Sequence, residues 1–253
     1  MAKSITSPSN PIIKETSALS QKKYREKTGL FIMEGQKAIE EALMSKIDIQ
    51  KIFSISENNF PENLPSCEKY LIPKEIMTKL ATTDSPPNIL AVAKISQPTL
   101  KEIKGDKILL LENIKDPGNL GTIIRTAVAM GICGILLAGD CVDIYNPKVI
   151  RSTTGNIFKI PIVKCDNLQE IKETFPAYKF IGTILNPEKN PKPLNEVDFK
   201  QPNIILFGSE ASGLSIEAQK HIDEYLKIPL QNDVESLNLA ISVGIVLYSQ
   251  SQS

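Results

Sequence analysis

The sequence has no tryptophan, one histidine and only four cysteines, none of them in a Cys-x-x-Cys pair. A Ser–His or Cys–His nucleophile would have to be built on His221, which lies in a polar segment and reads as a surface residue. Cys67, Cys133, Cys141 and Cys165 are scattered. Neither a zinc framework nor a disulfide scaffold is indicated, and the expectation is a cytoplasmic protein with reduced thiols. No apolar run reaches membrane-span length, and Lys3 near the start is followed by no apolar stretch, so neither a span nor a secretory leader is expected. Ser209 is followed two residues on by Ala211 and Ser212 by Leu214, so there is no Gly-x-Ser-x-Gly elbow. Gly-x-x-x-x-Gly-Lys-Ser/Thr and Gly-x-Gly-x-x-Gly are also missing, which removes the common nucleotide-phosphate loops. Lysine and arginine balance aspartate and glutamate at 29 each. The chain as a whole is therefore no general electrostatic glue for nucleic acid.

What is present is an α/β pattern long enough for two small domains or one large one. Asn10-Pro11 reads as an N-cap with proline at the first helical position, opening a helix over residues 10–23. A strand over 30–33, a helix over 36–46, a strand over 49–55, a loop over 58–66, a short helix over 74–80 and a strand over 89–95 follow. Residues 96–106 are polar, carry Pro98 and Gly105, and read as a linker. Ile108-Leu109-Leu110-Leu111 is a continuous apolar run, as expected of a strand buried on both faces. From there helices alternate with strands at 135–137, 160–163, 179–184, 204–207 and 225–228, and a last helix is expected over 236–249. Such alternation argues for a mostly parallel sheet. In the first half, Lys22-Lys23-Tyr24-Arg25-Glu26-Lys27 surrounds an aromatic with cations. From charge alone it reads first as a solvated helix end, although such a cluster can also neutralise phosphates and stack on a base.

Parallel α/β domains bind ligands at the carboxyl ends of their strands. Three segments in the second half fall at such places. Asn119-Leu120-Gly121-Thr122-Ile123-Ile124-Arg125 opens a helix after a Gly/Pro/Asn turn. Gly208-Ser209-Glu210-Ala211-Ser212-Gly213-Leu214 follows a buried strand directly, with two glycines that permit close backbone approach. Ile228-Pro229-Leu230-Gln231-Asn232-Asp233-Val234-Glu235-Ser236-Leu237-Asn238 leaves a strand, and Ser236 is placed to cap the next helix. Ordinary turn and cap chemistry would also account for each segment taken singly.

Together and in this order, the three segments resemble the motifs of the SpoU/TrmH family of SPOUT RNA 2′-O-ribose methyltransferases: Asn-x-Gly-x-x-x-Arg, Gly-x-Glu-x-x-Gly-Leu and Ile-Pro-Met through Ser-Leu-Asn. The resemblance spans about residues 107–250. Residues from Lys23-Tyr24-Arg25 through Phe31-Ile32-Met33-Glu34-Gly35 and Glu41-Ala42-Leu43 are similar to the family's L30e-like substrate-binding module. Two departures put asparagine where the family has glycine, at Asn88 and Asn232, and asparagine tolerates a left-handed backbone better than most residues.

The resemblance implies an α/β fold with a small L30e-like domain over 1–95, a linker over 96–106, and over 107–253 a SPOUT domain with a parallel sheet and a deep trefoil knot. It implies S-adenosyl-L-methionine as cofactor, with Gly208, Ile228 and Leu230 holding the adenine through their backbones and Thr183, Leu185 and Leu237 lining the pocket. Arg125 is the implied catalytic residue, positioned with Asn119, Glu210, Ser236 and Asn238; Lys22, Lys23, Arg25 and Lys27 would face RNA; no metal is implied. The expected activity is methylation of a ribose 2′-hydroxyl of RNA by a homodimer joined through the C-terminal domains. The large-subunit 23S-type rRNA is favoured over tRNA as substrate. The rival readings are a base-nitrogen RNA methyltransferase and a non-catalytic RNA-binding or ribosome-assembly protein on the same fold.

Overall fold

A computed structural model describes residues 2–232 and 234–252; Asp233 of the third segment lies outside them. The chain forms two compact units, one of Met1–Ser96 with Asp143–Lys159 and one of Gln97–Val142 with Ile160–Ser253. In chain order the elements begin with β1 (Lys3–Ser4), α1 (Pro11–Ala18), α2 (Lys22–Thr28), β2 (Leu30–Glu34), α3 (Gln36–Met44), β3 (Ile49–Ser54), β4 (Glu68–Leu71), α4 (Lys74–Leu80) and β5 (Ile89–Lys94). They continue with β6 (Lys107–Glu112), α5 (Pro117–Ala129), β7 (Gly134–Ala138), α6 (Pro147–Thr153), β8 (Ile162–Lys164), α7 (Leu168–Thr174) and β9 (Lys179–Thr183). The last are β10 (Lys192–Pro193), β11 (Asn203–Phe207), α8 (Ile216–Gln219), β12 (Glu224–Lys227) and α9 (Leu239–Ser251).

The first unit is built on a mixed sheet in the order β1-β4-β3-β5-β2. Alternation along the strands gives it two apolar faces. One carries Ile32, Phe53, Tyr70 and Leu90, covered by Ile13 of α1 and Met77 of α4. On the other, Phe31 packs on Tyr145 and Phe158, with ring centroids 4.7 and 6.1 Å away. The segment 143–159, read from sequence as part of the second α/β series, thus belongs to this core. Strand β4 escaped the sequence reading because Glu68 and Lys69 dilute its apolar signal.

The helix expected over 10–23 is two helices. Asn10 caps α1 as expected, accepting from the Ile12 N–H at 2.9 Å, but α1 ends at Ala18 and α2 begins at Lys22. Arg25 fills the break. Its Nη1 donates to the carbonyls of Leu19 (2.8 Å) and Ser20 (2.9 Å), and its Nε and Nη2 donate to Asp143 Oδ2 at 2.9 and 2.6 Å. Arg25 is 2% exposed, so its assignment as an RNA-facing cation is corrected: it satisfies helix-end carbonyls inside the first unit. Lys22, Lys23 and Lys27 remain exposed.

The second unit holds a parallel sheet in the order β10-β12-β9-β11-β6-β7-β8. Ile108 to Leu111 are fully buried, as the apolar run predicts for a central strand. Strand β11 enters between β6 and β9, with Leu206 opposite Gly182 of β9 and Leu110 of β6. Strand β12 joins the far side of β9. Consequently β9, β11 and β12 end side by side. The stretch read as a linker is no free spacer: Leu100 and Ile103 are buried in this unit's core with Leu110, Leu136, Phe180 and Leu206. The last helix starts three residues later than expected. Asn238, not Ser236, is its cap, accepting from the N–H groups of Ala240 (2.9 Å) and Ile241 (3.3 Å). At its other end Gln250 donates to Asn203 Oδ1 at 2.7 Å.

Replacing Arg25 by alanine strands the Asp143 carboxylate and two helix-end carbonyls. The expected cost is about 3–5 kcal/mol of stability, read as a lowered denaturant midpoint at an unchanged slope. A loss below about 1 kcal/mol would contradict the buried clamp.

Candidate active site

The carboxyl ends of β9, β11 and β12 open into a cavity of ≈ 440 Å³. All six residues expected to hold a cofactor line it: Thr183, Leu185, Gly208, Ile228, Leu230 and Leu237. Glu210 and Ser236 line it as well. Thr183 spends its hydroxyl on the Leu206 carbonyl (3.0 Å), so it offers the cavity little beyond its methyl and backbone. Among the described residues, the N–H groups of Ile228 and Leu230 donate to no backbone carbonyl. Two unpaired donors separated by a proline suit a flat heterocycle that accepts at its edge.

The wall formed by residues 208–214 is set by backbone geometry. A β-carbon on Gly208 would lie 2.0 Å from the carbonyl carbon and oxygen of Gly213, a clash with backbone. Gly213 itself is left-handed at φ +65° and donates its N–H back to the Ser209 carbonyl at 2.9 Å. Ser209 and Ser212 join hydroxyls at 2.8 Å across the loop. In the third segment Asn232 takes φ +56°, the left-handed conformation that asparagine was expected to tolerate there. Asn88, the other substitution, is not left-handed.

A chain of hydrogen bonds joins the three sequence segments. Asn119 Nδ2 donates to Glu210 Oε1, and Asn238 Nδ2 donates to Asn119 Oδ1 at 3.1 Å. Asn119 is fixed through its backbone too, since Asp116, the N-cap of α5, accepts its N–H at 2.7 Å. Asn238 is held by its capping bonds to α9. Arg125 stands apart: it is exposed on α5, does not line the cavity, and pairs with no carboxylate among the described residues. In the first unit, Lys22 makes an exposed pair with Glu26 at 3.7 Å, and Lys23 lies 5.9 Å from the centre of the Tyr24 ring.

Sequence reading missed Glu112 and Ser215. Glu112 is 6% exposed, and both its oxygens accept from Ser215: the N–H at 2.7 Å and the hydroxyl at 2.6 Å. The available signal was a carboxylate closing an otherwise apolar strand. Gln219, Asn186 and Ser242, polar residues of the cavity wall, were also missed, because they lie outside the three segments.

Comparison with known proteins gives a consistent picture. The SpoU rRNA Methylase family matches residues 106–248, and the MRM3-like substrate binding domain matches residues 10–91. An uncharacterized tRNA/rRNA methyltransferase of Synechocystis sp. is 37% identical over 97% of this chain and 92% of its own. The 23S rRNA (guanosine(2553)-2′-O)-methyltransferase RlmP of Bacillus subtilis is 32% identical over 97% of this chain and 98% of its own. The AdoMet-bound rRNA methyltransferase structure from Sinorhizobium meliloti superposes with a TM-score of 0.90 at 30% identity, covering 99% of this chain and 98% of that one.

Gly208→Ala forces the 208–214 loop away from its own return. The expected product is a folded protein whose binding of S-adenosylmethionine, measured by calorimetry, falls at least about tenfold. Binding that stays at the parental level would show that the loop does not wall the ligand site.

Proposed function

The chain belongs to the SpoU rRNA Methylase family, and from that premise we propose that it transfers a methyl group from S-adenosylmethionine to a ribose 2′-hydroxyl of large-subunit ribosomal RNA. The carrying observation is the cavity at the ends of β9, β11 and β12, where all six expected cofactor residues meet beside the Asn119–Glu210–Asn238 hydrogen bonds. The names of the Bacillus subtilis relative and of the AdoMet-bound structure support the substrate and the cofactor.

The cavity fits the cofactor. Its ≈ 440 Å³ lies within the usual range for small-molecule sites, about 300–1,000 Å³. Its wall combines apolar side chains with the unpaired Ile228 and Leu230 donors. When bound, S-adenosylmethionine supplies an electrophilic methyl on a sulfonium. The protein's task is then at the acceptor, because a ribose hydroxyl is a weak nucleophile whose oxygen gains charge as it attacks. Arg125 is the residue for that charge. A guanidinium is a fixed positive charge with only donors to offer, so it acts as a donor to the forming alkoxide and the neighbouring phosphate rather than as a base. Asn119 is held from both sides by Glu210 and Asn238 and fixes the geometry between cofactor and acceptor. Ser236 offers a hydroxyl at the cavity edge.

Arg125 reaches an active site in a homodimer. Helix α9 buries Leu239, Val243, Val246 and Leu247 yet leaves Ile241, Ile245 and Tyr248 exposed at helical spacing. Helix α5, which carries Arg125, packs beside it, with Gly244 facing Thr126. We assign this apolar stripe to a second copy of the chain, so that each cavity takes Arg125 from its partner. Residues 1–95 serve as the RNA substrate-binding domain, using Lys22, Lys23 and Lys27 with the Tyr24 ring. The second unit, residues 97–142 with 160–253, is the methyltransferase domain, threaded by the family's trefoil knot. Among the described residues no helix is long and apolar enough to cross a membrane, and the place of action is the cytoplasm, where the RNA is.

Mass spectrometry of nucleosides from treated rRNA should find the methyl on the sugar. A methylated base nitrogen, or no methylation and no S-adenosylmethionine binding, would replace the proposal by one of its rivals. Arg125→Ala should lower methylation by about a hundredfold or more while cofactor affinity stays within about twofold. Tyr248→Glu should halve the sedimenting mass. Mixing the Arg125→Ala and Gly208→Ala proteins should restore activity that neither has alone, because one mixed site combines an intact cavity with an intact arginine. Failure of that complementation in a mixed dimer would place Arg125 in its own subunit's site.

A further inference from the structure

Glu112 is a buried carboxylate without an ion-pair partner among the described residues. Burying such a group is costly unless hydrogen bonds replace its water. Here a single residue supplies them. Ser215 gives its N–H and its hydroxyl to the two oxygens, and its Oγ accepts the Ala218 N–H at 3.0 Å, capping α8. Ser215 is the first residue beyond the 208–214 loop. The loop is therefore pinned at its entrance by the close approach of Gly208 to Gly213, and at its exit by Glu112. Glu210 hangs between these two points.

The same residue anchors the opposite loop. Glu112 ends β6, and the next residue, Asn113, turns left-handed at φ +59° with its N–H bonded to the Ala138 carbonyl at 3.0 Å. From there the chain runs to Asp116 and Asn119. One side chain thus stands at the start of the Asn119 segment and holds the end of the Glu210 loop, and these two residues must meet for the hydrogen-bond chain to close.

We infer that Glu112 is a positioning residue of the methyl-transfer site: through Ser215 it sets where Glu210 meets Asn119 and how the 208–214 loop walls the cavity. The inference rests on the methyltransferase reading above. Glu112 touches neither cofactor nor RNA and acts only through the loop.

The test uses the full-length protein, S-adenosylmethionine affinity by calorimetry and turnover on rRNA, all at a temperature well below the melting point of every variant. Ser215→Ala and Glu112→Ala are each expected to weaken cofactor binding or lower kcat about tenfold. The double variant should be no worse than Glu112→Ala, because both changes cut one connection. Glu112→Gln keeps an oxygen for the Ser215 N–H and should stay within about threefold of the parent. Where Glu112→Ala does not fold, Ser215→Ala and Glu112→Gln decide. A role confined to stability would lower the melting point and leave both readouts unmoved; that result overturns the inference. So does multiplication of the two single effects in the double variant, or a Glu112→Gln as impaired as the alanine. If the parent protein itself neither binds S-adenosylmethionine nor methylates RNA, it is the methyltransferase reading that fails.

Discussion

At residue 208 the chain meets its own return so closely that a β-carbon would lie only 2.0 Å from the Gly213 carbonyl. No side chain fits there, and the crowding is what turns residues 208–214 from a connection into a wall. The wall stands where three parallel strands end together, because β11 enters between β6 and β9 while β12 takes the outer side. Glu210 is thereby brought to Asn119, and Asn119 to Asn238, although 91 and 119 residues separate these pairs in sequence. The polar centre of the site is a by-product of backbone packing in a sheet whose central strands are apolar between their ends.

This explains which parts could be read in advance. Ile108 to Leu111 announce a buried strand, and Gly208 and Gly213 announce tight backbone, since both signals are local. Asn232 in place of glycine was also legible, because its side chain permits the left-handed turn it adopts. The α9 cap was misplaced by two residues. Ser236 and Asn238 are both good caps, and the choice fell to Asn238, whose amide nitrogen is also drawn to Asn119. Glu112 was invisible for a different reason: a carboxylate at a strand end reads as the start of a solvated loop, and only the arrival of Ser215, 103 residues later, buries it.

The basic cluster makes the same point about charge. Lys22, Lys23, Arg25 and Lys27 look like one patch in sequence, yet the helix break at Leu19–Gln21 diverts the arginine inward. Four of its five N–H donors go to the carbonyls of Leu19 and Ser20 and to Asp143, 118 residues away. What remains of the patch at the surface is three lysines and the exposed Tyr24 ring, on a chain of zero net charge.

The first unit is not one continuous stretch of chain. Its sheet is finished by Lys94, but Asp143, Tyr145 and Phe158, which neutralise Arg25 and cover Phe31, come only after β6, α5 and β7 have been made. During vectorial synthesis the nascent first unit therefore waits, with the Arg25 guanidinium lacking its carboxylate and one sheet face bare, until residue 159 has left the ribosome. By then 159 of the 253 residues have emerged. The two units cannot mature in simple succession, and a single cut between them at residue 96 would not release a complete first unit.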